Sequence, residues 1–116
     1  MKRLGKFLAV AAFLFLFLGV GESVVLDGPI RGKAGLSYSS ISYSFDSLNV
    51  VIRNRTKYNL NFGGAMLFLD KNYELVARAE LRPAKIKRHS SRNYKGFFSK
   101  GSGNEAKAAR YLEWEF

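Results

Sequence analysis

Residues 47–81 read SLNVVIRNRTKYNLNFGGAMLFLDKNYELVARAEL, and this stretch decides the fold. Leu48, Val50 and Ile52 alternate with Asn49, Val51 and Arg53 in a β-branched run, which predicts a strand. Asn54-Arg55-Thr56-Lys57 supplies turn residues whose side chains can bond the local backbone. Tyr58 to Asp70 is the longest strand candidate, interrupted by Gly63-Gly64. Leu60 and Phe62 share a face before the glycines. Ala65, Leu67 and Leu69 form an odd-numbered set after them, as a one-residue bulge in this strand would produce. Met66 and Phe68 then point the other way, so this end of the strand is apolar on both faces. It is either packed centrally or offers a face to a partner. Asp70-Lys71-Asn72-Tyr73 is a turn. In Leu75–Leu81 the residues Leu75, Ala77, Ala79 and Leu81 alternate with Val76, Arg78 and Glu80, the half-solvated pattern of an antiparallel strand.

Working outward, Leu36–Phe45 (LSYSSISYSF) predicts an edge strand. A bulge at Ser39-Ser40 would place Tyr38, Ile41, Tyr43 and Phe45 on one side. On the carboxyl side Pro83 is expected to break pairing, leaving Ala84–Arg92 as a basic connection before β character resumes over Asn93–Ser99. Gly101-Ser102-Gly103 is a flexible joint. Asn104 is a suitable cap for one or two helical turns over Glu105–Arg110, with an acidic residue first and a basic one last. Tyr111–Phe116 is the last strand, with Leu112, Trp114 and Phe116 facing inward. Six to seven short strands with regular turn signals predict an all-β antiparallel β-sandwich with a short helical turn before the last strand.

The amino-terminal residues have a different organisation. Met1–Lys6 is basic, Phe7–Leu18 is apolar, and Gly19-Val20-Gly21-Glu22-Ser23 supplies small residues, the order of a secretory signal peptide. The apolar run is about a dozen residues, short of the roughly 20 that span a bilayer. Residues 1–21 are therefore assigned to a signal peptide, with an uncleaved anchor as the alternative. Residues 22–35, with Gly28-Pro29 and Gly32, form a linker or loosely docked segment, and residues 36–116 form the sandwich domain.

Composition bounds the chemistry. The chain has 116 residues and no cysteine, which excludes disulfides, thiol catalysis and cysteine-based zinc sites. Nineteen Lys and Arg against nine Asp and Glu give a net charge of +10, and removing Lys2, Arg3 and Lys6 with a leader leaves +7. Such a surface favours anionic partners as well as solubility.

The order of a strand ending Val50-Val51-Ile52-Arg53-Asn54, a strand ending Met66-Leu67-Phe68-Leu69-Asp70, and Leu81-Arg82-Pro83 before the next strand resembles small prokaryotic immunoglobulin-like modules of the Phe-x-Leu-Tyr-Asp signature type. Met66 stands at the Phe position of that signature and Leu69 at the Tyr position. The resemblance implies an immunoglobulin-like sandwich with a binding or structural role outside the cytoplasm and no active site.

Candidate chemistry is sparse. His89, beside Ser90 and Ser91, would need Asp46 or Asp70 to complete a Ser-His-acid arrangement. A solvated loop histidine is the plainer reading. The carboxylates show no metal-ligand spacing. Gly101-Ser102-Gly103 lacks the Gly-Lys-Ser/Thr ending of a phosphate loop. Asn54-Arg55-Thr56 is formally a glycosylation sequon, and a turn Asn serves it equally. The most informative set is Arg82, Lys85, Lys87, Arg88, Arg92 and Lys95, six cations around one connection. They could attract anionic lipid or polysaccharide with salt-sensitive affinity. Tyr94, Phe97 and Phe98 beside them could stack nucleic-acid bases, although the export signal argues against that partner. Met66 and Phe68 are a candidate partner face, for example toward an envelope protein.

The expectation is thus an exported, non-catalytic interaction or structural module of the cell envelope or extracellular space. It needs no cofactor, metal or small-molecule substrate, and the sequence leaves its oligomeric state open. The alternatives are a secreted enzyme inhibitor or small hydrolase using the Pro83–Arg92 connection, or an envelope protein held by its uncleaved apolar segment.

Overall fold

The computed structural model describes residues 27–116. The signal peptide expected over 1–21, and the first part of the 22–35 segment, lie outside the described residues. The elements in chain order are β1 (Gly28–Pro29), β2 (Leu36–Tyr43), β3 (Ser47–Asn54), β4 (Leu60–Leu69), β5 (Leu75–Ile86), β6 (Ser90–Lys100), α1 (Gly103–Lys107) and β7 (Tyr111–Glu115). All described pairings are antiparallel, and the seven strands form a single sheet in the order β1-β2-β3-β6-β5-β4-β7.

This sheet is curled. Four register shifts interrupt its ladders, and bulges of this kind bend a strand and increase its twist. The curl brings the two ends of the sheet together through aromatic contacts. Tyr38 on β2 lies 5.6 Å from Trp114 on β7, ring centre to ring centre. Phe62 on β4 touches Trp114 at 5.8 Å and Phe116 at 5.6 Å. The concave face holds the core of Leu48, Val50, Ile52, Phe62, Met66, Phe68, Ala77, Ala79, Leu81, Ile86 and Tyr94, all buried. Burying each large apolar side chain of this set contributes about 1.5–3 kcal/mol.

The bulge expected in β2 is present. Tyr38 pairs with Ile52 and Ser39 with Val51, but Ser42 pairs with Asn49, so β2 has one residue more than β3 across this interval. Ser40, at φ +55°, takes up the extra length. Leu36 and Tyr38 before it, and Ile41 and Tyr43 after it, all reach the core. Phe45, expected on the same side, is instead exposed beyond the strand end.

The bulge expected in β4 lies on its neighbour. Phe62 is opposite Ala84 and Gly64 is opposite Leu81, so Arg82 and Pro83 together face Gly63. β4 therefore keeps one parity throughout, and Phe62, Met66 and Phe68 all point into the core. The change of parity falls on β5, where Ala77, Ala79 and Leu81 point inward before the bulge and Ala84 and Ile86 after it. Pro83 consequently does not end the strand. A bulge tolerates the missing N–H, and β5 continues to Ile86. The connection expected over Ala84–Arg92 shrinks to the turn 87–89.

The helix begins two residues earlier than Asn104 would allow as a cap. Ser102 is the N-cap, and its hydroxyl bonds the Glu105 carboxylate. Ala106 and Ala109 are buried against the end of the curl, and the Gly103 N–H donates to the Phe45 carbonyl. One end of the curled sheet is thus covered by α1, the helix end. The other carries the turns 31–35, 55–59 and 87–89, the loop end.

Candidate basic end of the sheet

Asn54 closes β3 at the loop end and is fully buried. Its Nδ2 donates to the carbonyls of Tyr58 at 2.7 Å, Ile86 at 3.1 Å and Lys87 at 3.3 Å. Its Oδ1 accepts from the Thr56 N–H at 2.9 Å and from the Thr56 hydroxyl at 2.7 Å. One amide therefore ties β3, the 55–59 loop and the β5–β6 turn into a unit. Three backbone-donated bonds extend it: Arg55 N–H to the Gly35 carbonyl, His89 N–H to the Thr56 carbonyl, and Arg88 N–H to Asn59 Oδ1. The Asn54 amide is thus an internal strut and is inaccessible to glycan transfer in the folded protein, which resolves the sequon in favour of the turn asparagine.

The β5–β6 hairpin is held in an unusual way near this end. No β5–β6 pair follows Leu81–Gly96 toward the turn, and side chains take over from the ladder. The Tyr94 hydroxyl donates toward the carbonyls of Phe62 at 2.9 Å and Ala84 at 2.8 Å, and Arg92 Nη1 donates to the Lys85 carbonyl at 3.1 Å. Burial raises the Tyr94 phenol above its ordinary range, with the Arg92 charge opposing.

The six cations singled out from the sequence lie on this hairpin, and all are exposed. They do not form one loop. Arg82 and Lys85 are on β5, Lys87 and Arg88 on the turn, and Arg92 and Lys95 on β6. The structure adds cations distant in sequence. Arg53 pairs with Ser91 across β3 and β6, and the Asn54 strut brings Arg55 and Lys57 beside the 87–89 turn. Arg31 and Lys33 join through the contact of Gly35 with the 55–59 loop. No carboxylate occurs in residues 28–45, 47–69 or 81–104. Eleven of the sixteen Lys and Arg among the described residues thus lie from mid-sheet to the loop end. The other five, Lys71, Arg78, Lys100, Lys107 and Arg110, share the opposite half with seven of the eight described carboxylates. Arg78 is neutralised there by Glu80 and Glu115.

The other sequence candidates fall away from this end. Met66 and Phe68 are 0% and 2% exposed. The expected partner face is therefore core, because β4 carries no parity change. Of the three aromatics considered for base stacking, Tyr94 is buried with its hydroxyl engaged and Phe98 packs against the core. Phe97 alone is exposed, opposite Ser47 and Glu80 and away from the loop end. His89 is in the 87–89 turn, whereas Asp46 and Asp70 are in turns at the helix end. The fold does not bring them together. Among the described residues no group of three or more His, Asp or Glu could hold a metal ion. The Gly103 N–H, which a phosphate-loop reading would need, is spent on Phe45.

Sequence reasoning missed Arg53, Arg55 and Lys57 because the β3–β6 pairing that brings them to the hairpin joins residues nearly 40 positions apart. The available signal was Asn54 followed by Thr56, a side-chain-bonded turn in which Arg55 and Lys57 have no inward role.

Fold and charge together define the chain as a small antiparallel β protein with a hydrogen-bonded basic end opposite a mixed-charge, helix-covered end. No protein-family model, curated protein or solved structure matches it.

Proposed function

We propose that the protein is an exported, non-catalytic binding module of the cell envelope or extracellular space, which engages anionic surfaces through the basic half of its sheet. The observation that carries this reading is the segregation of charge. Eleven cations share the loop half of the sheet with no carboxylate in the segments that bear them. A field of one sign attracts polyanions and speeds their encounter. The basic, apolar and small-residue order of residues 1–23 supports export. The immunoglobulin-like reading rests on the strand order around Asn54, Asp70 and Pro83. A curled sheet whose two ends face one another is compatible with a sandwich-like core.

The test is retention of the protein on an immobilised anionic polymer, eluted with rising salt. Replacing Arg82, Lys85 and Lys95 together with Ala should shift elution to clearly lower salt, since exposed charges act through screened Coulomb forces. Elution at an unchanged salt concentration overturns the proposal. Export is tested separately by the intact mass of the exported protein, which should begin near Glu22 or Val24; a full-length mass in the membrane fraction favours the anchored alternative.

A further inference from the structure

We infer that the anionic partner is the headgroup surface of a phospholipid bilayer, met end-on by the three turns at the loop end. This rests on the anion-binding reading above and adds the partner, the contact surface and the orientation.

Three observations favour a bilayer over a polymer chain. First, six exposed cations, Arg31, Lys33, Arg55, Lys57, Lys87 and Arg88, are spread over three separate turns at one end of the sheet. That is a patch of dispersed charges suited to a surface of many headgroups, each of which contributes modestly and additively. Second, Tyr58, 62% exposed, is in the central turn of the three, with the Lys57 ammonium 5.6 Å from its ring centre. An amphipathic aromatic beside cations is the side-chain chemistry of a membrane–water interface. Third, the rings exposed at or near this end among the described residues, Tyr58 and Phe116, each have a lysine ammonium over the face, Lys57 and Lys33, so they do not present the row of open rings that a glycan or single-stranded nucleic acid would stack on. Tyr94 is buried and Phe97 lies farther along the sheet beside Glu80.

The three turns are also pre-set. The Asn54 amide, the Thr56 hydroxyl and the Asn59 carboxamide hold the 55–59 and 87–89 turns together, and the Arg55 N–H ties the 31–35 turn to them through the Gly35 carbonyl, so binding need not order them. The carboxylates Asp46, Asp70, Glu74 and Glu105 are in turns and α1 at the opposite end. Repulsion from an anionic surface would turn that end outward.

The experiment uses the full chain and co-sedimentation with vesicles of phosphatidylcholine alone or with 30 mol% phosphatidylglycerol, roughly the charge of an anionic leaflet. Any contribution of the apolar segment 7–18 is common to all variants. Arg55→Ala/Lys57→Ala and Lys87→Ala/Arg88→Ala each remove two exposed charges from the tip, and Lys100→Ala/Lys107→Ala removes two from the other half. Each tip variant should lose on the order of tenfold in affinity for the anionic vesicles, and the control less than twofold. Tyr58→Trp should show a blue-shifted emission on anionic vesicles only. Equal losses in tip and control variants, or no preference for anionic over neutral vesicles, overturn the inference. Dextran sulfate separates the two proposals: binding to it that depends on Arg82, Lys85 and Lys95, without tip-dependent vesicle binding, leaves the anion-binding reading standing and removes the bilayer. The same pattern with single-stranded DNA in place of dextran sulfate does likewise. Thermal unfolding of each variant, expected to match the parent, verifies that it is folded.

Discussion

Asn54 is the residue on which the loop end depends. Its buried amide makes five hydrogen bonds to two other chain segments, and removing it strands carbonyls that water reaches poorly. Asn54→Ala should lower unfolding stability by about 2–4 kcal/mol, the cost of several buried groups left unsatisfied. Thr56→Val, which keeps the shape but loses the hydroxyl, should cost about 1 kcal/mol. Urea unfolding measures both, and equal effects would contradict the central place given to the amide. Two titrations belong to the same scale. Burial pushes the Tyr43 phenol up to about 12, and burial also raises Tyr38, with Asp27 adding to the shift. The unfolded chain then loses these protons near pH 10 while the folded chain keeps them, so stability is complete below about pH 10 and falls as pH rises toward 12. Urea midpoints at pH 9 and 11 should show the fall, and Tyr43→Phe should reduce it. Glu80 shifts the other way, because the Arg78 guanidinium and then the Ser99 hydroxyl bond its carboxylate and hold it below the ordinary range. Its contribution is present above the unfolded carboxylate pKa and is lost as pH falls through the depressed folded value. That contribution is small because the pair is solvated. In a side-chain carboxyl NMR titration, Ser99→Ala should move the Glu80 midpoint upward.

At the scale of elements, the junction of β4 and β5 sets which side chains the core receives. A Cβ on Gly63 would come within 2.7 Å of the Pro83 Cα, and the β5 bulge needs that space. Gly63→Ala should therefore cost about 1–3 kcal/mol, as overpacking against backbone does. Gly63→Ala with Pro83 deleted, which removes the bulge residue, should recover part of the loss in thermal unfolding; no recovery would place the strain elsewhere. This junction also marks how far the sequence could be read. Alternation located β2, β3, β4 and β5, and the Ser39-Ser40 phase change located the β2 bulge, because each is written in consecutive residues. Gly63-Gly64 signalled an irregularity but not its owner, since a glycine yields to a bulge opposite as readily as it forms one. The misplacement left Met66 and Phe68 open as a partner face, whereas the unbroken parity of β4 makes them core. Pro83 misled for a related reason: its missing N–H ends a regular ladder but suits a bulge. The candidate site was half legible. The cations of the β5–β6 hairpin are neighbours in sequence, whereas Arg53, Arg55 and Lys57 reach them only through long-range pairing and the Asn54 strut.

At the scale of the whole molecule, the separation of charge has a thermodynamic consequence independent of any partner. Eleven cations from mid-sheet to the loop end repel one another in the folded state, and residues 28–45, 47–69 and 81–104, which carry them, hold no carboxylate to relieve the repulsion. The unfolded chain spaces the same charges farther apart, so the repulsion weighs against folding. Salt shortens its range: at 0.01 M ionic strength the Debye length is roughly 30 Å, comparable to the molecule, and at 0.15 M it is about 8 Å. The ion pairs that salt would weaken, Arg78 with Glu80 and Glu115, are exposed and contribute little. Screening should therefore stabilise the protein overall. Between 10 and 150 mM sodium chloride the thermal midpoint should rise by about 3–6 °C, corresponding to roughly 1 kcal/mol for a domain of this size. Reversing one loop-end charge, as in Lys57→Glu, should raise the low-salt midpoint and flatten its dependence on salt, whereas Lys107→Glu at the helix end should not. A midpoint that is flat in salt for the parent protein would mean that the cations are too widely spaced to act as one field. The anionic partner would then have to be held by individual contacts on the hairpin instead of by the loop end as a whole.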